Sequence, residues 1–261
     1  MKGRTVHDNH DAQGESSHHP EELSDAWDRI EVAQENLCSL SQEMDKFLYN
    51  FIRSMIKGYD NVRKNRTIQL RHPKDCYVVG RPRVLVAQIV ENLRSALDYM
   101  VVNLSKLNQP DVNEKIPQFV IAENIANFES RAKNRLRFLT REQKSFIKKL
   151  QPYHGNLYLE ILGAVVNVGK HRRLVKIQNN TSFALYYADK SSESKYPGHF
   201  KYQLQETDIY AKPIEDQMIL LMDKYNCMKT LDGMIDHTAE ILRLSSCYFE
   251  GRNQYFSIVW E

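Results

Sequence analysis

The chain has 261 residues, 42% of them hydrophobic, including 14 tyrosines and 10 phenylalanines. This composition supplies a sizeable core and excludes a largely disordered protein. The formal net charge of +3 is too small to require a nucleic-acid partner by itself, so electrostatic arguments depend on where the charges cluster.

The cysteines and the apolar runs indicate a cytoplasmic protein with no membrane association. Four cysteines lie far apart and form no CxxC pair, which indicates free thiols in a reducing compartment and neither a disulfide framework nor a zinc site (Cys38, Cys76, Cys227 and Cys247). The apolar runs are far shorter than the roughly 20 residues that span a bilayer.

Residues 1–20 are predicted to form a disordered tail, because they contain almost no large apolar side chains that could offset the entropy of ordering. The tail carries four histidines that are able to bind a metal (His7, His10, His18 and His19). Nothing in the tail fixes a ligand geometry, which favours the alternative of a solvated segment. We therefore predict no metal and no cofactor.

The first folded elements are a long helix and a β-hairpin. Apolar residues recur at alternating steps of three and four over residues 23–55, which predicts one amphipathic helix that stops at Gly58. Two short runs rich in β-branched and aromatic residues flank a His-Pro-Lys-Asp turn at 72–75. This arrangement predicts a β-hairpin at about 66–80.

A second long helix is predicted over residues 84–107, with Pro82 suited to its first turn. Arg94 and Asp98 lie one turn apart beside its apolar stripe. They can simply pair with each other on the surface, which stabilises a helix by only tenths of a kcal/mol. Alternatively, they reach into the bundle and meet polar groups of a later helix.

Next, the sequence predicts a short extended segment at 116–122 and two short helices, at 124–132 and 140–150. Thr140 as N-cap with Gln143 three residues later is typical of a capping box.

Positive charge is concentrated between residues 131 and 149. Eight basic residues stand against one acid, Glu142, giving +7 in a chain whose total is +3 (Arg131, Lys133, Arg135, Arg137, Arg141, Lys144, Lys148 and Lys149). Such a run is either a solvated face or the binding surface for a phosphate backbone.

The helix predicted over residues 156–174 is apolar almost all the way round, which places it in the middle of a bundle. One narrow stripe, formed by Glu160, Asn167 and His171, is polar. This stripe either belongs to a structural polar network in the core or forms an active or anion-binding site. The second alternative rests on four residues: Asn167, Lys170, His171 and Arg172.

After His171 the period changes to two, which predicts a small antiparallel sheet at about 181–225, followed by a last helix over 228–249. No repeat and no break in composition marks a second domain. We therefore expect an α+β, mainly α, fold: one domain over 21–261, with an up-and-down helical bundle, the hairpin, the small sheet and a C-terminal helix.

The common motifs for nucleotide binding, metalloprotease, hydrolase and zinc chemistry are absent from the sequence. What remains is a helix-borne histidine with amide and cationic neighbours. Such a set can cleave RNA without a metal, because a histidine takes the 2′-hydroxyl proton while cations stabilise charge on the phosphate. The same set can also simply bind an anion.

Three short motifs carry a family resemblance: LRSALDYM at 93–100, LQPY at 150–153 and NVGKHRRL at 167–174. In this order they resemble a group of bacterial helical proteins with the pattern NLRSALDH, LQPY and NxxDKHR, which in turn resembles HEPN-type helical bundles. Here Tyr99 replaces a frequent His and Gly169 replaces the usual Asp. HEPN ribonucleases also place an Arg four to six residues before the His, and this chain has none at those positions.

The resemblance implies an RNA-directed protein: a metal-independent endoribonuclease of toxin or antiphage-defence type, acting as a homodimer and countered by an antidote protein. His171 would be the acid or base and Asn167 would orient it, with Arg94 and Asp98 completing the catalytic set. The expected phosphate and RNA contacts are Arg94, Lys170, Arg172, Arg173, Arg135 and Arg137. The alternative is a non-catalytic binding or scaffold module with a buried Arg/Asp/Asn/His network.

Overall fold

The computed structural model describes the backbone of residues 20–58, 68–70, 77–78, 80–170, 176–179, 183–187, 200–204, 212–214, 217–222 and 224–251. Side chains are described over 20–47, 49–50, 80–167 and 227–251. The tail predicted at 1–20 lies outside the described residues except for Pro20.

Six α-helices form the described framework: α1 (Ser24–Gly58), α2 (Arg81–Asn108), α3 (Ile125–Arg135), α4 (Arg141–Lys149), α5 (Leu157–Lys170) and α6 (Lys224–Ser246). Single 3-10 turns cover Glu21–Leu23 and Pro152–His154. None of the described helices is both long enough and apolar enough to cross a membrane.

The core lies where α1, α2, α5 and α6 meet. The stripes predicted from steps of three and four are the faces that these helices bury, including Ile30, Leu40, Leu93, Leu97 and Met100, each at most 2% exposed. Helix α1 packs along α2, and α6 packs against both. The prediction of a mainly helical bundle is confirmed.

The helix ends differ from the predicted ones where local chemistry sets them. Helix α2 begins at Arg81 because Gly80, with φ of 82°, turns the chain just before Pro82 occupies the first turn. The predicted capping box is confirmed: the Gln143 N–H donates to Thr140 Oγ1 and the Thr140 N–H donates to Gln143 Oε1. The predicted end of the fifth helix at 174 lies beyond the described residues.

The predicted fold class, α+β with one small antiparallel sheet, is wrong. Wherever both backbone and side chains are described, every regular element is a helix and none is a strand. Short strands, described by backbone alone, form two sheets in the orders β1-β4-β5 and β2-β3-β7-β6. Their bounds are β1 (Ile68–Leu70), β2 (Tyr77–Val78), β3 (Lys176–Asn179), β4 (Phe183–Tyr187), β5 (Phe200–Leu204), β6 (Lys212–Ile214) and β7 (Gln217–Met222).

The predicted hairpin at 66–80 is also wrong, since β1 and β2 belong to different sheets. β1 pairs with β4 and β2 pairs with β3, both antiparallel. β3 and β7 are parallel, with Ile177 opposite Leu220, so the chain crosses over between them. A turn motif marks a local change of direction and does not select the distant partner of each strand.

Asn156 joins α5 to α6. Its Oδ1 accepts from the Leu159 N–H at 3.1 Å, which caps α5, and its Nδ2 donates to the Leu150 carbonyl at 2.8 Å. Nδ2 also lies 2.8 Å from Nε2 of His237 on α6, whose ring packs against Tyr158 at 5.5 Å between centroids. Burial lowers the pKa of His237 from 6.5 to about 4.

Candidate anion-binding site

The extended segment 116–122 belongs to no strand, and side chains from the helices bind its main chain. Arg94 and Asp98 of α2 hold Phe119: Asp98 Oδ1 accepts from its N–H at 2.7 Å, and Arg94 Nη2 donates to its carbonyl. The same two side chains form a bidentate pair, with Nε–Oδ2 at 3.1 Å and Nη2–Oδ1 at 3.0 Å. The pair thus binds both main-chain polar groups of Phe119, as a neighbouring β-strand would.

Gln151, just after α4, holds the next residues of the segment. Its Nε2 donates to the carbonyls of Val120 at 2.7 Å and Ile147 at 3.0 Å, and its Oε1 accepts from the Ala122 N–H at 2.8 Å. Gln151 is fully buried. These three bonds satisfy main-chain groups that would be costly to bury unpaired.

Two arginines of α3 bind two further carbonyls of the segment. Arg131 Nη1 donates to Ile121 at 3.1 Å, and Arg135 Nη1 donates to Ile116 at 3.3 Å. Both guanidinium groups are therefore anchored through one nitrogen, which fixes their position beside the segment.

A cleft of about 460 Å³ lies between this segment and helices α2, α3 and α5. Its lining residues are Arg94, Gln118, Phe119, Val120, Ile121, Ser130, Arg131, Asn134, Arg135, Gly163, Val166 and Asn167. Gly163 lets α5 approach the segment, since a Cβ there would lie 2.8 Å from Ile121 Cγ2. Glycine at this position therefore permits close packing of α5 against the segment.

The cleft is cationic. Three arginines line it, and the lining includes no acid. Arg94 is neutralised by Asp98, whereas Arg131 and Arg135 form no ion pair with any residue whose side chain is described. Like charges one turn apart on a helix repel each other by a few tenths of a kcal/mol, and a bound anion would relieve that repulsion.

The structure brings three of the predicted site residues to this cleft: Arg94, Asn167 and Arg135. Asp98 lies beside them and holds the cleft wall through Phe119. Arg94 and Asp98 pair with each other, as the first alternative predicts. The second alternative named polar groups of a later helix, whereas the described contact of both side chains outside α2 is with the main chain of Phe119.

The other predicted site residues are not placed at the cleft. Arg137 lies over the Phe138 ring at 4.5 Å and does not line it. For Lys170 only the backbone is described, as the last residue of α5. His171, Arg172 and Arg173 lie outside the described residues, so the predicted contact between His171 and Arg94 or Asp98 stays a prediction.

Several residues that line the cleft or hold its wall were not predicted from the sequence. Arg131 counted only as part of the basic run, although Arg131, Asn134 and Arg135 are spaced i, i+3, i+4 and share one face of α3. That spacing indicates that the three side chains lie together on α3. Gln151 belongs to the LQPY motif, but nothing local indicated that its amide would bind a segment 30 residues earlier.

The basic run is partly used within the protein. Lys148 pairs with Glu129 at 2.5 Å, and Lys144 Nζ lies 3.4 Å from the Arg137 carbonyl. The side chains of Lys133, Arg137 and Arg141 are exposed and form no ion pair with described acids. Some side chains of the basic run therefore bind other groups of the protein, and others are exposed to solvent.

No group of three or more potential metal ligands occurs in the described part of the chain. Comparison of the whole chain with protein-family models, with curated proteins and with solved structures found no match.

Proposed function

We propose that this chain is an RNA-directed protein of HEPN-like function that holds a phosphate in the cleft. The observation that carries the proposal is the lining of that cleft: arginines from α2 and α3 and an asparagine from α5, with no acid among them. Guanidinium groups match phosphate oxygens bidentately, and amide N–H groups complete such sites.

The position of the cleft beside the basic run favours RNA over a small inorganic anion. Arg131 and Arg135 belong to both features, and exposed Lys133, Arg137 and Arg141 extend the positive surface beyond the cleft. A chain of phosphates can contact the cleft and this surface together, gaining affinity from released counterions.

We further propose metal-independent endoribonuclease activity of toxin or antiphage-defence type in the cytoplasm, with a homodimer and an antidote protein as partners. Asn167 lines the cleft on α5, and His171 follows it by four residues in sequence. In this proposal His171 transfers the proton and Asn167 orients it, while Arg94 and Arg172 hold the phosphate.

A second candidate is a non-catalytic binding or scaffold module. The specific observation in its favour is the pairing of Arg94 and Asp98 with each other and with the Phe119 main chain. Two of the four proposed catalytic residues therefore already have a structural task.

A metal-free cleavage assay on total RNA separates the two candidates. We expect wild-type protein to cleave, and His171→Ala to lose about 10²–10⁴-fold in rate while keeping its melting temperature. The matched control is His154→Ala, which removes an exposed histidine outside the cleft and should keep full activity.

The opposite pattern would establish the scaffold. Wild-type protein that is inert toward RNA, together with a His171→Ala variant destabilised by about 1–3 kcal/mol, would show that His171 belongs to a buried network.

A further inference from the structure

We propose that the cleft binds a terminal phosphomonoester, at the end of an RNA strand or on a free mononucleotide, more tightly than a phosphodiester inside a strand. This inference rests on the proposed function and names the preferred ligand of the same site. It is carried by the charge, the anchoring and the size of the cleft.

The charge of the cleft matches a dianion. Arg94 is compensated by Asp98, which leaves Arg131 and Arg135 as the two lining cations without an acidic partner among described residues. A phosphomonoester carries about −1.5 to −2 at neutral pH, whereas each diester of a strand carries a single negative charge. Only the monoester neutralises both arginines.

The two arginines are held ready for such a ligand. Each uses Nη1 for a carbonyl of the segment, Arg131 for Ile121 and Arg135 for Ile116. The Nε and Nη2 donors of both have no acceptor within the described part of the chain. Donors that are already positioned lose little entropy on binding, which favours a compact ligand with several acceptor oxygens.

The size of the cleft suits a phosphate with one attached nucleoside. The cleft is walled by α2 and α5, by the segment and by α3, and its volume of about 460 Å³ is typical of small-molecule sites. Ile121 and Val166 provide an apolar surface for the attached sugar or base.

The test is a fluorescence-polarisation measurement with labelled ten-nucleotide 2′-O-methyl RNA, which lacks the 2′-hydroxyl needed for cleavage. Four oligonucleotides are compared: those with a 5′-phosphate or a 5′-hydroxyl, and those with a 3′-phosphate or a 3′-hydroxyl. We expect one phosphorylated end to bind at least about tenfold more tightly than its hydroxyl counterpart. Competition with adenosine 5′-monophosphate and with inorganic phosphate then distinguishes a strand end from a free ligand.

Asn134→Asp tests the location, since it places a negative charge on the cleft wall with almost no change in shape. It should abolish the preference for the phosphorylated end. Ser130→Asp is a second variant of the same kind, and thermal melts establish that both are folded. The matched control is Lys229→Gln, which makes the same change in net charge at an exposed residue of α6 that does not line the cleft and should keep the preference.

The outcomes separate the two proposals. RNA that binds equally well with and without a terminal phosphate overturns this inference and leaves the RNA-directed function standing. A preference that survives in folded Asn134→Asp and Ser130→Asp also overturns it. No binding to any of the oligonucleotides or competitors overturns both.

Discussion

At His237 the neighbours determine which ring nitrogen carries the proton. The Asn156 amide is oriented by its two other bonds, with Oδ1 accepting from Leu159 N–H and Nδ2 donating to the Leu150 carbonyl. Its second Nδ2 proton therefore points to His237 Nε2, which has to accept. A protonated ring would place two N–H groups against each other.

Stability should therefore fall as the pH is lowered. The folded-state pKa of about 4 lies below the ordinary 6.5, so the unfolded chain binds the proton first. The contribution of His237 is complete above about pH 6.5 and is lost progressively toward pH 4, by at most about 3 kcal/mol.

Urea unfolding between pH 4.5 and 7.5 measures this effect. His237→Gln should show a flatter dependence on pH than wild type over that range. The exposed His154, changed to Gln, should leave the dependence as it is. Equal slopes for wild type and His237→Gln would show that the imidazole is not kept neutral by its surroundings.

How much the sequence predicts at this scale depends on the separation of the partners. The capping box of Thr140 and Gln143 was predictable because its bonds join residues three apart. The bond between Asn156 and His237 joins residues 81 apart, and no local pattern indicates it.

Among the elements, the segment 116–122 depends on the helices for its shape. Three main-chain groups, at Val120, Ala122 and Ile147, bind the single Gln151 amide. Gln151→Glu keeps the size of the side chain but removes the N–H donors and introduces a buried carboxylate beside two carbonyl oxygens.

We expect Gln151→Glu to lower the free energy of unfolding by about 3–5 kcal/mol, as an uncompensated buried charge does. Chemical denaturation gives the value. Gln88→Glu is the matched control, because Gln88 is exposed on α2, and it should change stability little. A similarly small change in both variants would mean that the segment does not rely on this amide.

Helices were predictable as elements, whereas strand pairing was not. Apolar residues recur at steps of three and four in α1 and α2 because each helix buries one face, as at Leu93 and Leu97. The runs at β1 and β2 indicated extended chain, but their partners β4 and β3 lie about 100 residues later. The local sequence pattern does not determine which strands pair with each other.

Over the whole molecule, charge is strongly divided. Residues 131–149 carry +7, and taking this from the total of +3 leaves −4 for the rest of the chain. A molecule divided in this way is oriented by the field of a polyanion before contact, with the positive segment leading. This division, unlike the cleft, was visible in the sequence.

The positive charges of residues 131–149 should contribute to the salt dependence of RNA affinity. Each phosphate contact on a single strand contributes about −0.7 to the slope of log K against log salt concentration. Replacing Lys133, Arg137 and Arg141 together by glutamine should therefore make the slope shallower by about 2.

The control removes three exposed cations outside this segment, Lys46, Arg81 and Lys229, with the same change in net charge. It should leave the slope nearly as in wild type. If both triple variants change the slope equally, overall charge and not the 131–149 segment drives association.

Because helices rather than a neighbouring strand bind the segment 116–122, the segment has no alternating register to preserve. A one-residue slip in a sheet turns every side chain of a strand to the opposite face. Here each anchor at Ile116, Phe119 and Val120 comes from a different element, α3, α2 and the end of α4. The exposed loop at 109–111 can therefore gain or lose residues during evolution while the cleft wall keeps its alignment with the helices.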